Sequence, residues 1–82
     1  LDIELSGYKI METLMRVFVE AAVNPKRFYS QQLIRRVSSQ YDIHSDNLET
    51  RIMAVIDFIS GMTDVYALNI YQKINGVALP IV

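Results

Sequence analysis

The stretch Ile52 to Tyr71, IMAVIDFISGMTDVYALNIY, constrains this chain more than any other. It is nearly all apolar, yet Asp57, Ser60, Gly61 and Asp64 fall at i, i+3, i+4 and i+7 and so share one face of a helix. Ile52, Val55, Ile56, Ile59, Met62, Tyr66 and Ile70 recur at steps of three and four and form a second, wholly apolar face. A helix apolar over most of its circumference is enclosed on several sides. Gly61 in its middle costs about 1 kcal/mol relative to Ala, so it either kinks the helix or admits another backbone. The spacing predicts a long central helix with two carboxylates facing a specific partner.

An 82-residue chain is enough for one domain, and 51% of it is hydrophobic. A core of this size buries only about 60% of the surface its unfolded chain exposes. Without cysteines there are no disulfides to supplement it. Surplus apolar surface is therefore expected to meet a second copy or the rest of a longer protein, and Leu1 in first position fits such a piece. Eight basic against nine acidic residues give no electrostatic case for nucleic acid. No apolar run reaches the roughly 18 residues of a membrane span, because Asp57 and Asp64 interrupt the longest one. With no signal-peptide pattern at the N-terminus, the expected location is the cytoplasm.

Along the chain, Leu1 to Leu5 alternates apolar and polar, the pattern of a short strand or an extended lead-in. Ser6 is placed to cap a first helix, with Leu5 and Ile10 at the staple positions on either side. Ile10, Leu14, Val17 and Ala21 form one stripe of that helix, and Met11, Met15, Phe18 and Ala22 lie beside it. Glu12 and Arg16 make an i, i+4 surface pair. Asn24-Pro25 ends the helix, and Tyr29, Leu33, Val37 and Tyr41, each four apart, predict a second one. Asp46 with Glu49 reads as a capping box for a third helix, which Asn75-Gly76 stops. The chain is thus all-α, with three main helices over about 6–23, 27–40 and 47–74 and an apolar tail, VALPIV, over residues 77–82.

Catalytic chemistry is not evident in the residues. His44, the one histidine, sits in a polar loop with no second His or Cys to complete a transition-metal site. The three glycines are too scattered for a phosphate loop, and no serine has a GxSxG setting. Lys26, Arg27, Arg35 and Arg36, interleaved with Phe28 and Tyr29, are a candidate basic patch, though the neutral balance favours an ordinary solvated face. Asp57 and Asp64 would lie about 10.5 Å apart along a continuous helix, too far to share a proton or a metal. Each then needs its own partner, whether a cation, backbone amides at a helix start, or substrate, and structural pairing with Arg16, Arg51 or a residue outside the chain is the plainer reading.

Asp57 to Tyr71, DFISGMTDVYALNIY, resembles the C-terminal signature of the bacterial dGTPases, the deoxyguanosinetriphosphate triphosphohydrolases of the HD superfamily. Its most specific part is Gly61-Met62-Thr63-Asp64, followed one residue later by Tyr66-Ala67. Ile3 to Val19 is similar to a weaker family segment in which Gly7-Tyr8 starts a helix, whereas Asn24 to Leu48 matches nothing recognisable. Val65 stands where the family often has a polar residue.

The resemblance implies that residues 1–82 are the C-terminal helical domain of a longer all-helical cytoplasmic enzyme. Such a parent cuts a dNTP into deoxynucleoside and triphosphate. Its divalent metal (Mg, Mn or similar) is held by a histidine–aspartate set upstream, leaving this piece without catalytic residues, metal or cofactor. The implied partners are the remainder of the parent chain, further copies in a homo-oligomer and, through the parent, the dNTP; no membrane or nucleic acid is expected. Asp57, Ser60, Gly61, Met62, Thr63, Asp64 and Tyr66 would lie near substrate or brace the helices that form its pocket. The rival reading is a free-standing helical dimerisation or interaction module, and a third, weaker one is a small nucleic-acid binder using Lys26, Arg27, Arg35 and Arg36.

Overall fold

The computed structural model describes residues 3–77, and side chains over residues 9–74. Four helices follow one another: α1 (Ile3–Val23), α2 (Phe28–Ile34), α3 (Leu48–Ser60) and α4 (Asp64–Val77), with no strand among the described residues. The protein is all-α, as the periodicity requires. Its hub, however, is α1 and not the Ile52–Tyr71 stretch, because α1 packs against each of the other three helices. The cause is visible in its two adjacent stripes. Leu14, Val17, Phe18, Ala21 and Ala22 are all buried, so α1 presents apolar surface over a wide arc and can serve several neighbours.

The expected third helix is two helices. α3 ends at Ser60, α4 begins at Asp64, and their axes bend by 118°. Two local hydrogen-bond systems make this corner. At the end of α3 the Gly61 amide donates to Asp57 O at 3.1 Å, and the Met62 amide donates to Ile59 O at 3.1 Å, a tightened last turn. At the start of α4 the Thr63 hydroxyl accepts from the Tyr66 amide at 3.1 Å, satisfying one of the amides a helix start leaves open. Thr63 is therefore an N-cap, and Asp64 sits in the first turn, where a carboxylate complements the helix dipole. The apolar periodicity ran through this corner because both helices bury apolar residues against the same core. No single described helix is long and apolar enough to cross a membrane.

Several boundaries also move. α1 is helical from Ile3, so Ser6 lies inside it and not at its cap, and residues 3–5 are not extended. Leu1, Asp2 and the Leu5 side chain lie outside the described residues, as does the tail over 78–82. α2 stops at Ile34, short of the expected residue 40: Arg36 and Val37 donate three residues back, to Leu33 O and Ile34 O, which ends the α-helical ladder. The four-residue spacing nevertheless succeeds as packing, since Leu33 and Val37 are buried and Tyr41 leans on the core. The cap of α3 is Asn47 and not Asp46; its side-chain oxygen accepts from the Thr50 amide at 3.0 Å. Asn and Asp are near-equal caps, so sequence alone could slip by one residue. α4 continues through Asn75 and Gly76 to Val77.

The long-range tie is Arg51. From the first turns of α3 its Nε donates to Ala22 O at 2.8 Å, in the last turn of α1, and its Nη1 donates to Ser45 O at 2.9 Å. A cation at a helix C-terminus meets the negative end of the helix dipole, so this contact fixes the α1 end, the loop and α3 together.

Phe58 is the core's aromatic junction, with edge-on contacts to Phe18 (5.6 Å), Tyr41 (5.8 Å) and Tyr66 (6.4 Å) between ring centroids. Phe58→Ala should therefore lower unfolding free energy in urea by about 3–5 kcal/mol. Tyr29 offers the opposite test. Its hydroxyl is buried with no partner among the described residues. Burial, and then the charge of Glu20, raise its pKa above the ordinary 10.0, while Arg16 works the other way. A phenol that holds its proton more tightly when folded contributes stability below the unfolded pKa and loses it as pH rises through the higher folded value. Urea midpoints should thus fall in strongly alkaline buffer for the wild type. Tyr29→Phe should flatten that fall and, at neutral pH, leave stability unchanged or raise it by up to about 1 kcal/mol.

Candidate functional site

The residues singled out in sequence gather at the α3–α4 corner, but not as one helix face. Asp57 and Ser60 belong to the last turns of α3, Gly61, Met62 and Thr63 to the connection, and Asp64 and Tyr66 to the first turn of α4. With the helix broken, the i, i+7 relation between Asp57 and Asp64 disappears. Both carboxylates are exposed, so neither carries the desolvation cost that would demand a buried partner. Arg16 is exposed and Arg51 is engaged with backbone carbonyls, so neither pairs with them. Among the described residues the one ion pair within 4 Å is Arg27 with Glu20, an exposed contact at 3.4 Å; the Glu12–Arg16 pair is not closed.

A shallow groove of about 380 Å³ opens beside the corner, with Tyr41, Phe58, Gly61, Met62, Thr63 and Tyr66 along it. Tyr41, Phe58 and Tyr66 give it aromatic lining and Ser38 and Thr63 hydroxyls, a surface suited to an apolar side chain with a polar edge. It lacks the convergent titrating groups that acid–base or metal chemistry requires. No group of three His, Cys, Asp or Glu side chains is placed to hold a metal among the described residues.

Of the two readings of Gly61, the break in the helix does fall there, with Gly61 as the C-cap of α3, but not because the position requires glycine. Its φ of −88° and ψ of 0° are open to any residue. A methyl group there would meet Asp57 O at 3.5 Å, Tyr41 Oη at 3.6 Å and Phe58 O at 3.8 Å, ordinary van der Waals contact. No close backbone approach requires it. Phe58 is the residue that sequence reasoning missed: on a continuous helix it falls beside the Asp57 face, and the stripe of threes and fours passes it by. Ala54 and Ala67, also buried, were lost for the same reason, whereas buried Ile74 continues the stripe four residues beyond Ile70.

The basic residues separate. Arg27 turns to Glu20, Arg36 is half-buried, and Lys26 and Arg35 line a second and larger cleft of about 640 Å³, together with His44 and Arg51. Phe28 projects into solvent at 77% exposure, while Tyr29 packs on the core.

The corner's architecture rests on the cap more than on the glycine. Thr63→Ala should cost about 1 kcal/mol in chemical denaturation, and Thr63→Ser should recover most of it. Gly61→Ala should stay within about 0.5 kcal/mol of the wild type.

Comparison with known proteins adds the family. The chain is 29% identical, over 92 aligned positions, to a deoxyguanosinetriphosphate triphosphohydrolase-like protein of Listeria monocytogenes and equally to one of Listeria innocua. Each alignment covers 92% of this chain but 20% of the relative, so the chain spans about a fifth of the length of the curated relatives it matches. No solved structure matches it. Residues 3–73, which take in α1, α2, α3, the corner and most of α4, match the phosphohydrolase-associated domain, and the chain belongs to that family.

Proposed function

We propose that this chain is the C-terminal helical domain of a dGTPase-like enzyme and that its role is to pack on the catalytic body or on neighbouring subunits. In this reading the complete protein hydrolyses dGTP or another dNTP to deoxynucleoside and triphosphate in the cytoplasm. It does so with a divalent metal held by a histidine–aspartate set outside these residues. The observation that carries the proposal is the mismatch of lengths: the similarity runs along nearly the whole chain yet accounts for 20% of each relative. A domain matched in this way has a large remainder to rest on.

The described surface supports the same reading. Val65 is 78% exposed and Met53 52%, and Tyr66 and Leu68 flank Val65 on α4 with sizeable apolar area in water. Such surface is what a partner interface covers. The signature residues then act by building a corner. Thr63 turns the chain, Tyr66 packs on Phe58, and Asp57, Ser60 and Asp64 are left outside for neighbouring protein to meet.

Two measurements test this. The 82-residue chain, supplied with Mg or Mn, should release no triphosphate from dGTP; release would overturn the assignment of catalysis to the remainder. In the full-length protein, Val65→Asp with Leu68→Asp should lower dNTP hydrolysis about tenfold or shift the assembly to a smaller size in gel filtration. Unchanged activity together with unchanged assembly would remove the packing role.

A further inference from the structure

A cleft of about 640 Å³ lies between the α1–α2 turn, the end of α2, the loop before α3 and the first turns of α3. Three cations line it, each from a different segment: Lys26 from the turn, Arg35 at the C-cap of α2, and Arg51 from α3. Against them stands one carboxylate, Asp46, so positive charge is in excess within a chain whose net charge is −1. None of the three cations has a carboxylate within 4 Å among the described residues, whereas Arg27, next to Lys26, is turned to Glu20.

Arg51 is oriented before any partner arrives. Its Nε and Nη1 are fixed on Ala22 O and Ser45 O, which leaves Nη2 to be matched. A guanidinium does not give up its proton in a protein, and two neutral carbonyls leave its charge uncompensated. At the start of α3, two of the amides that would cradle a compact anion are already engaged, Asn47 N with Ser45 Oγ and Thr50 N with Asn47 Oδ1. What the cleft offers is side-chain cations beside an apolar lining of Pro25, Ile34 and Ile43.

We propose that this cleft docks an acidic segment from the remainder of the longer protein, its carboxylates on Lys26, Arg35 and Arg51 and an apolar side chain against Pro25, Ile34 and Ile43. The inference rests on the packing role and names the chemistry of what packs. Charge complementarity selects an acidic occupant, since carboxylates are the protein groups that match guanidinium forks. The apolar lining, and a volume that one carboxylate side chain would not fill, select a stretch of polypeptide. Its source follows from the lengths: the similarity accounts for 20% of each relative, which leaves a large remainder to supply it.

Lys26 is the one lysine on the cleft and so serves as the reporter. In the full-length protein, a zero-length carbodiimide condenses an amine with a carboxyl group in contact with it; an amide forms and the reagent takes up the water. Peptide mapping by mass spectrometry should find Lys26 joined to an Asp or Glu outside residues 1–82. Arg35→Glu should lower the yield of that link about tenfold, and Arg35→Lys should restore it. Arg35 is exposed and does not react with the reagent, so its effect reports attraction within the cleft. A Lys26 link confined to residues 1–82, or a yield indifferent to Arg35→Glu, overturns the proposal. So does retention of one tripolyphosphate per chain in equilibrium dialysis with no link formed, which assigns the cleft to a free anion. If no link forms while Val65→Asp with Leu68→Asp still disrupts activity or assembly, the cleft assignment fails and the packing role stands.

Discussion

Phe58 meets the aromatic rings of α1, of the α2–α3 loop and of α4, and each of those segments reaches it by a different local device. Phe18 arrives because α1 is a long helix with an apolar arc wide enough to face several partners. Tyr41 arrives because the chain after α2 gives up helical hydrogen bonding for tight turns. Tyr66 arrives because Thr63 reverses the chain. Aromatic side chains bury large areas and prefer edge-to-face contact, so one ring touched by three others is a junction whose geometry fixes the segments that supply them. A straight continuation of α3 would carry Tyr66 past Phe58 and leave Ala67, Ile70 and Ile74 without α1 to cover them. The corner and the junction depend on each other.

That dependence explains what was legible in the sequence. The double stripe of α1 was readable because a 21-residue helix repeats its pattern several times; the structure buries Leu14, Val17, Phe18, Ala21 and Ala22 and packs Ile10, Met11 and Met15, partly buried, against them. Helical class was readable for the same reason. The corner was written in Thr63-Asp64, a cap and an acidic first turn, but apolar periodicity on both sides masked it. Two helices that bury residues in one core keep an apolar rhythm across their junction even though the phase restarts. Gly61 drew attention to the right place for a reason the backbone does not support. The length of α2 was misjudged because spacing reports which residues reach the core, and Val37 and Tyr41 reach it from turns.

The carboxylates and the cations divide along a similar line. Asp57 and Asp64 looked related only on the assumption of one helix, and their relation vanished with it. Arg51 could not be assigned from sequence at all, because the carbonyl of Ala22 lies 29 residues away and carries no side-chain signal. The patch Lys26, Arg27, Arg35, Arg36 was half right. Two of its members remain on a common cleft, and the arginine that completes the cleft comes from a different helix. Contiguity in sequence identifies charges that share a segment; only tertiary packing identifies those that share a cavity.

The apolar surface left in water is best understood against the size of the domain. A chain of this length cannot bury all its hydrophobic side chains in one core, since too much of its volume lies close to the surface. Here the core is served first: α3 and α4 commit Val55, Phe58, Ile59, Ala67 and Ile70 to it, and Val65, Leu68 and Met53 are what remains outside. A domain built to stand alone would place polar residues at those positions at little cost, because exposed helix positions tolerate substitution. These apolar positions, on a chain spanning a fifth of its relatives, are the surface on which the proposed packing role rests.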